Sequence, residues 1–170
     1  RETDAIIHVL RCFENGDITH VEGSVDPIRD AEIIETELML ADLESIDKQI
    51  TNMEKKARGN DKDATALLDV AKKVKAALDE GQPVRTVNLH DDDKPLLKKL
   101  QMITSKPVLY VCNVNEEDAA EGNEFSRNVA KMAQEQNANY VVISAAIEAE
   151  ISVMDSEDDK QEFLQSLGLN

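Results

Sequence analysis

The chain has 170 residues, enough for one ordinary domain with its own core, or for one domain with an excursion. Apolar residues make up 41% of it but aromatic ones only 3%, with no Trp, so the core must be built from Ile, Leu, Val, Ala and Met. A net charge of −16 repels phosphate backbones at long range, which argues against general nucleic-acid binding and against DNA as a partner but leaves room for a local basic patch.

In chain order, Ala5 to Leu10 is a short apolar run rich in β-branched residues, and it is read as a strand buried on both faces. Arg11-Cys12-Phe13-Glu14 leaves the sheet, Asn15-Gly16 marks a turn, and Ile18 to Asp30 is a loop. From Asp30, a plausible N-cap, the period changes. Met39, Leu43, Ile46, Ile50, Met53 and Ala57 form a seam of coiled-coil type, Gly59-Asn60-Asp61 breaks it, and Ala64, Leu67, Ala71, Val74 and Leu78 form a second seam. Two seams joined by a short polar turn predict an antiparallel helical hairpin over 30–83.

Val84 to Gln101 is less patterned, with a short helix expected after Pro95. Pro107 to Cys112 reads as a second buried strand, Asn123 to Gln136 as a helix, Asn139 to Ile143 as a third buried strand, and 156–167 as a short amphipathic helix. Strand, helix, strand in this order is a β-α-β unit with parallel strands. The fold class is therefore α/β: a partial parallel sheet over 1–29 and 84–170, interrupted by the helical hairpin. Cys12 and Cys112 lie in apolar runs without CxxC spacing and are expected as buried thiols in a reducing compartment. No apolar run reaches membrane-spanning length and no signal peptide is recognised, so a soluble cytoplasmic protein without a membrane partner is expected.

Two polar motifs fall just past strand ends, where open α/β sheets bind ligands. They are Asn113-Val114-Asn115-Glu116 and Ser144-Ala145-Ala146. GTPases hold guanine with Asn-Lys-x-Asp after one strand and a Ser-Ala loop after the next; the Asp carboxylate accepts from the ring N–H and the exocyclic amine. Here the spacing survives, but Glu replaces Asp and Val replaces Lys, so Glu116 is expected to lose its grip on guanine and adenine to be tolerated. A blander reading has Asn113 capping a loop and Glu116-Glu117-Asp118 as a solvated helix start. The hairpin turn is basic, with Lys55, Lys56, Arg58 and Lys62, and Lys72, Lys73 and Lys75 continue that side. It suits RNA phosphates, or equally a solvated face of mixed charge. His8, His20 and His90 are scattered with no metal-ligand spacing, and no catalytic nucleophile motif is present.

These motifs, together with Arg1-Glu2-Thr3-Asp4-Ala5, Arg11-Cys12-Phe13-Glu14-Asn15, the Glu37-Leu38-x-Leu40-Ala41-Asp42-Leu43 stretch, Lys106-Pro107 and Ser144-Ala145-Ala146-Ile147-Glu148, resemble the Obg-like ATPase (YchF) family over essentially the whole chain. The resemblance implies a GTPase-like P-loop NTPase fold with an inserted coiled coil. It also implies a preference for ATP over GTP, Mg2+ as the companion of the nucleotide in the full-length parent, and association with the ribosome. The family's P-loop (Gly-x-x-x-x-Gly-Lys-Ser/Thr), its switch segment, its Asp-x-x-Gly motif and its TGS domain are absent from these 170 residues. The resemblance thus implies an internal piece of a longer protein, which alone neither holds nucleotide tightly nor hydrolyses it. A rival expectation is a non-enzymatic module whose hairpin docks on ribosome or protein while the α/β part serves as a scaffold.

Overall fold

A computed structural model of the chain describes residues 4–14, 25–59, 61–154 and 156–169. The expected Asn15-Gly16 turn, most of the loop after it with His20, and residues 1–3 of the first motif lie outside the described residues. The chain divides into two compact units, one of 1–5 with 32–107 and one of 6–31 with 108–170.

The second of these holds the sheet. Strands β1 (Ile6–Arg11), β2 (Val108–Asn113) and β3 (Asn139–Ile143) pair in parallel in the order β1-β2-β3. Ile6 is registered on Val108, and Leu109 on Asn139. Helix α4 (Glu124–Glu135) makes the crossover between β2 and β3. Its start is fixed by a capping box: Asn123 accepts from the Ser126 N–H, and the Ser126 hydroxyl accepts from the Asn123 N–H. Val129 and Ala133 of α4 pack on Leu10, Cys12, Val108, Tyr110 and Cys112, all on one face of the sheet, with Ile28 and Ala31 beside them. The two thiols meet in this core. Their hydrogen bond and burial push Cys12 up, and the same bond draws Cys112 down.

The opposite face departs from expectation. Ile7 and Val9 are 64% and 63% exposed, and Val141 of β3 on the same face is exposed as well. Only β2 is buried along its length. A continuous apolar run says that a strand is fit to be covered on both faces. It does not say that this length of chain supplies both covers, and here β1 and β3 are the two edges of a three-stranded sheet.

Helix α1 (Pro27–Ala57), which belongs to the other unit from Glu32 onward, begins earlier than the expected Asp30, because Asp26 takes the capping role. The Asp26 carboxylate accepts from the Arg29 N–H, and Pro27 supplies the preset first helical residue. Helix α2 (Lys62–Asp79) starts at Asp61, whose side chain accepts from the N–H groups of Asp63 and Ala64. It ends at Gly81, with φ +75, where Gln82 and Gly81 donate to the carbonyls of Ala77 and Leu78. Lys75 meets Asp47, while Ala64 shares a groove with Met53, so the two helices run antiparallel. The expected seam residues Met39, Leu43, Ile46, Ile50, Met53 and Ala57 all join one core with Leu67, Ala71, Val74 and Leu78.

That core also takes in Val84, Leu100 and Met102. Residues 84–107, assigned from sequence to the sheet portion, therefore fold with the helices, and the boundary expected at 83 lies instead at Pro107. Two features hold this return segment, which includes α3 (Lys94–Leu100). Asp42, 1% exposed, accepts from the Ile103 N–H (2.8 Å), the Thr104 N–H (2.7 Å) and the Thr104 hydroxyl (2.7 Å). The Thr104 oxygen in turn accepts from the Val84 N–H at 3.0 Å. Arg85 pairs with Glu35 and donates through Nε to the Lys106 carbonyl. An isolated buried carboxylate is costly, and one that accepts three hydrogen bonds becomes a clamp.

Candidate functional site

At the carboxyl ends of β2 and β3 the register sets Asn113 beside Ile143, so the loops that follow emerge side by side. The sheet ladder continues one step into them: the Val114 N–H donates to the Ile143 carbonyl at 2.8 Å, and the Cys12 N–H to the Asn113 carbonyl at 2.8 Å. The Asn113 side-chain oxygen then accepts from the Ala145 N–H at 3.0 Å. One amide thus ties the first loop to the second, and its NH2 group is the donor left for a ligand.

The remaining candidates take distinct places. The Val114 side chain is 2% exposed and packs in the sheet core, away from the loop surface. Asn115 is extended and precedes a single turn over Glu116–Asp118. Ser144 is buried and caps α5 (Ala145–Ser152), its hydroxyl accepting from the Ile147 N–H, while Ala145 and Ala146 are exposed. Glu116 reaches Glu150 of α5, and the hydrogen bond between their carboxyl groups, with the repulsion of a second negative charge, raises the Glu116 pKa above its ordinary value. The structure therefore brings together Asn113, Ser144, Ala145 and Ala146, sets Glu116 against α5, turns Asn115 toward Phe13, and withdraws the Val114 side chain.

Two elements were missed in the sequence. Asn115 lines a hollow of about 250 Å³ shared with Phe13, Asp118, Asn123 and Phe125. The Arg11 guanidinium stands 5.2 Å from the centre of the Phe13 ring and donates to the Phe13 carbonyl. Asn123 donates to the Cys12 carbonyl at 2.7 Å, tying the end of β1 to the start of α4. An aromatic residue two places beyond a strand, in a chain with 3% aromatics, was the available signal. The second element is Glu150, which carries no motif.

In the helical unit, Lys55 and Lys56 lie in the last turn of α1, Arg58 in the bend after it, and Lys62 opens α2; all four are exposed. The lysines expected to extend this surface are partly engaged, Lys75 with Asp47 and Asp79, and Lys73 with Asp93. Among the described residues no group of three His, Cys, Asp or Glu side chains is placed to hold a metal ion, and no helix is long and apolar enough to cross a membrane.

No protein-family model matches the chain. Whole proteins do resemble it. A ribosome-binding ATPase YchF of Bacillus subtilis is 43% identical over 171 residues, 99% of this chain and 46% of that protein. Obg-like ATPase 1 of Caenorhabditis elegans is 35% identical over 98% of this chain and 43% of its own length. The solved structure of the Schizosaccharomyces pombe YchF GTPase superposes with a TM-score of 0.84 at 29% identity, covering 98% of this chain and 46% of that one. The chain thus spans about half the length of the curated relatives it matches.

Proposed function

We propose, on the premise that this chain is homologous along 99% of its length to the YchF group of Obg-like ATPases, that it supplies the base-reading loops and the helical domain of a cytoplasmic nucleotide hydrolase that works on the ribosome. The observation that carries the reading is the Asn113–Ala145 hydrogen bond, which sets two loop tips together beyond adjacent parallel strands. A purine edge presented there meets the Asn113 amide, the backbone of the Ser144–Ala146 turn and the Glu116 carboxyl group. The ring of Phe13 in the neighbouring hollow offers an apolar surface beside Asn115. The phosphate cradle and the Mg2+ ligands have no counterpart among these loops, so tight binding and hydrolysis require residues beyond the 170 described by this sequence.

The relatives are named as both ATPase and GTPase, and base preference is the point on which the loops speak most directly. ATP is expected to be favoured, because Glu116 stands where a guanine-binding Asp would. In a protein of the relatives' full length, Glu116→Asp should move the ratio of ATP to GTP affinity toward GTP by about tenfold, measured by calorimetric titration of both nucleotides. An unchanged ratio would remove Glu116 from the base site. Val114→Lys, the other half of a guanine-reading motif, places a charge at a buried position and has to be read beside a melting curve.

The hairpin turn is the docking element in this reading. Replacing Lys55, Lys56 and Arg58 together by Ala should weaken cosedimentation with ribosomes and flatten its salt dependence, since about three phosphate contacts are removed.

A further inference from the structure

Carboxylates outnumber Lys and Arg by 35 to 19 in this chain, so a concave surface with cations and no carboxylate is unusual in it. One such surface exists in the sheet unit, on the flank of α4 and the start of β3, away from the loop tips. It is an open hollow of about 490 Å³ lined by Arg127, Lys131, Gln134, Asn139 and Tyr140, with two alanines beneath. All five polar or aromatic side chains are exposed, and the Tyr140 ring is 46% exposed. Tyr140 is registered on Tyr110, so its side chain leaves the sheet on the same face that α4 covers, at the edge strand. Arg127 and Lys131 are one turn apart on α4, about 6 Å along the helix axis. Among the described residues neither makes an ion pair.

An exposed aromatic ring beside two cations and two carboxamides matches the chemistry of a nucleotide within a strand. A base of any kind stacks on the ring, the cations meet the phosphates that flank it, and the amides donate to and accept from its edge. We propose that this hollow is a contact for single-stranded RNA, holding one unstacked nucleotide on Tyr140 with its neighbouring phosphates on Arg127 and Lys131. An acidic peptide added to the free edge of β3 is the competing occupant. It would run along all of Asn139–Ile143, whereas the cations gather only at the first two residues of the strand, and it has no use for a bare ring. A free mononucleotide carries its phosphates on one side only and cannot engage both cations as a strand does. The assignment is independent of the loops at Asn113 and Ser144 and of the hairpin turn.

The test is fluorescence anisotropy of a labelled decauridylate with this chain at low salt. Tyr140→Ala should weaken binding about tenfold and Tyr140→Phe should restore it, because stacking needs the ring and not the hydroxyl. Arg127→Ala with Lys131→Ala should weaken it by a similar factor and reduce its salt slope, whereas Lys48→Ala with Lys94→Ala, at lysines already paired with Glu44 and Asp91, should leave it unchanged. All five substituted positions are exposed, and circular dichroism verifies the fold of each variant. The proposal is overturned if decauridylate does not bind, or if it binds equally to the Tyr140 and Arg127/Lys131 variants. It is equally overturned if a polyglutamate peptide displaces the RNA at equal or lower concentration, or if uridine monophosphate binds as tightly as the oligonucleotide.

Discussion

Glu116 and Glu150 show how a site can hold a residue that no motif marks. Glu116 was legible because it stands four places into an Asn-x-x-Glu loop; Glu150 was not, because an exposed glutamate on a short helix looks like any other in a chain of 35 acids. Glu150 raises the Glu116 pKa, and that gives a direct readout of their contact. The Glu116 carboxyl should titrate above an ordinary glutamate in carbon-detected NMR, and Glu150→Gln should return it toward the ordinary value. The sign follows from linkage: a raised folded-state pKa means that the contact contributes at low pH and is lost as pH rises through that pKa, when two carboxylates face each other. Coincident titrations in the two proteins would show that the carboxyl groups do not meet in solution. Val114 teaches the reverse lesson. Its place in the motif suggested a contact, but a β-branched side chain one step past a buried strand is drawn into the core, and only its backbone stays at the site.

Among the elements, the hairpin was the part most plainly written in the sequence, since eleven apolar residues recur at helical spacing and all but Ala64 enter one cluster or pack against it. Its extent was less plain. Nothing in Val84 to Lys106 repeats, so periodicity has no hold there, and the segment is kept by polar contacts instead. Asp42 is the decisive one. In the sequence it is one more acid among Glu35, Glu37 and Glu44, yet it is the buried acceptor that fixes the return turn. Asp42→Ala leaves two backbone donors and a hydroxyl without an acceptor. It should cost about 3 kcal/mol by urea denaturation, with Asp42→Asn recovering part of the loss. A cost below about 0.5 kcal/mol would mean that water reaches the turn and that the clamp is not closed.

For the whole molecule, the parallel sheet was foreseeable from three apolar runs with a helical crossover, but its coverage was not. Ile7, Val9 and Val141 lie on one face, because alternate residues of strands in register point the same way. The relatives are about twice as long as this chain. An apolar sheet face open to water drives self-association, so sedimentation velocity should show a weight-average mass that rises with concentration, and Val9→Lys should suppress the rise. A concentration-independent mass for the unmodified chain would show that this face is not sticky in isolation.

Helix α3 changes what the far end of the hairpin can do. Gln49 on α1 donates to the Leu100 carbonyl, and Pro95, Leu96 and Lys99 share a groove with Met53, Lys56 and Ala64. A bare pair of helices bends and frays toward its turn, whereas this pair leans on a third, a buttress applied near its free end. Lys56 and its neighbours are accordingly presented from a stiff platform, and a partner that engages them has little wobble left to freeze out. The entropy that a limp arm would surrender on docking is already spent in folding, which tightens the grip without adding a single contact.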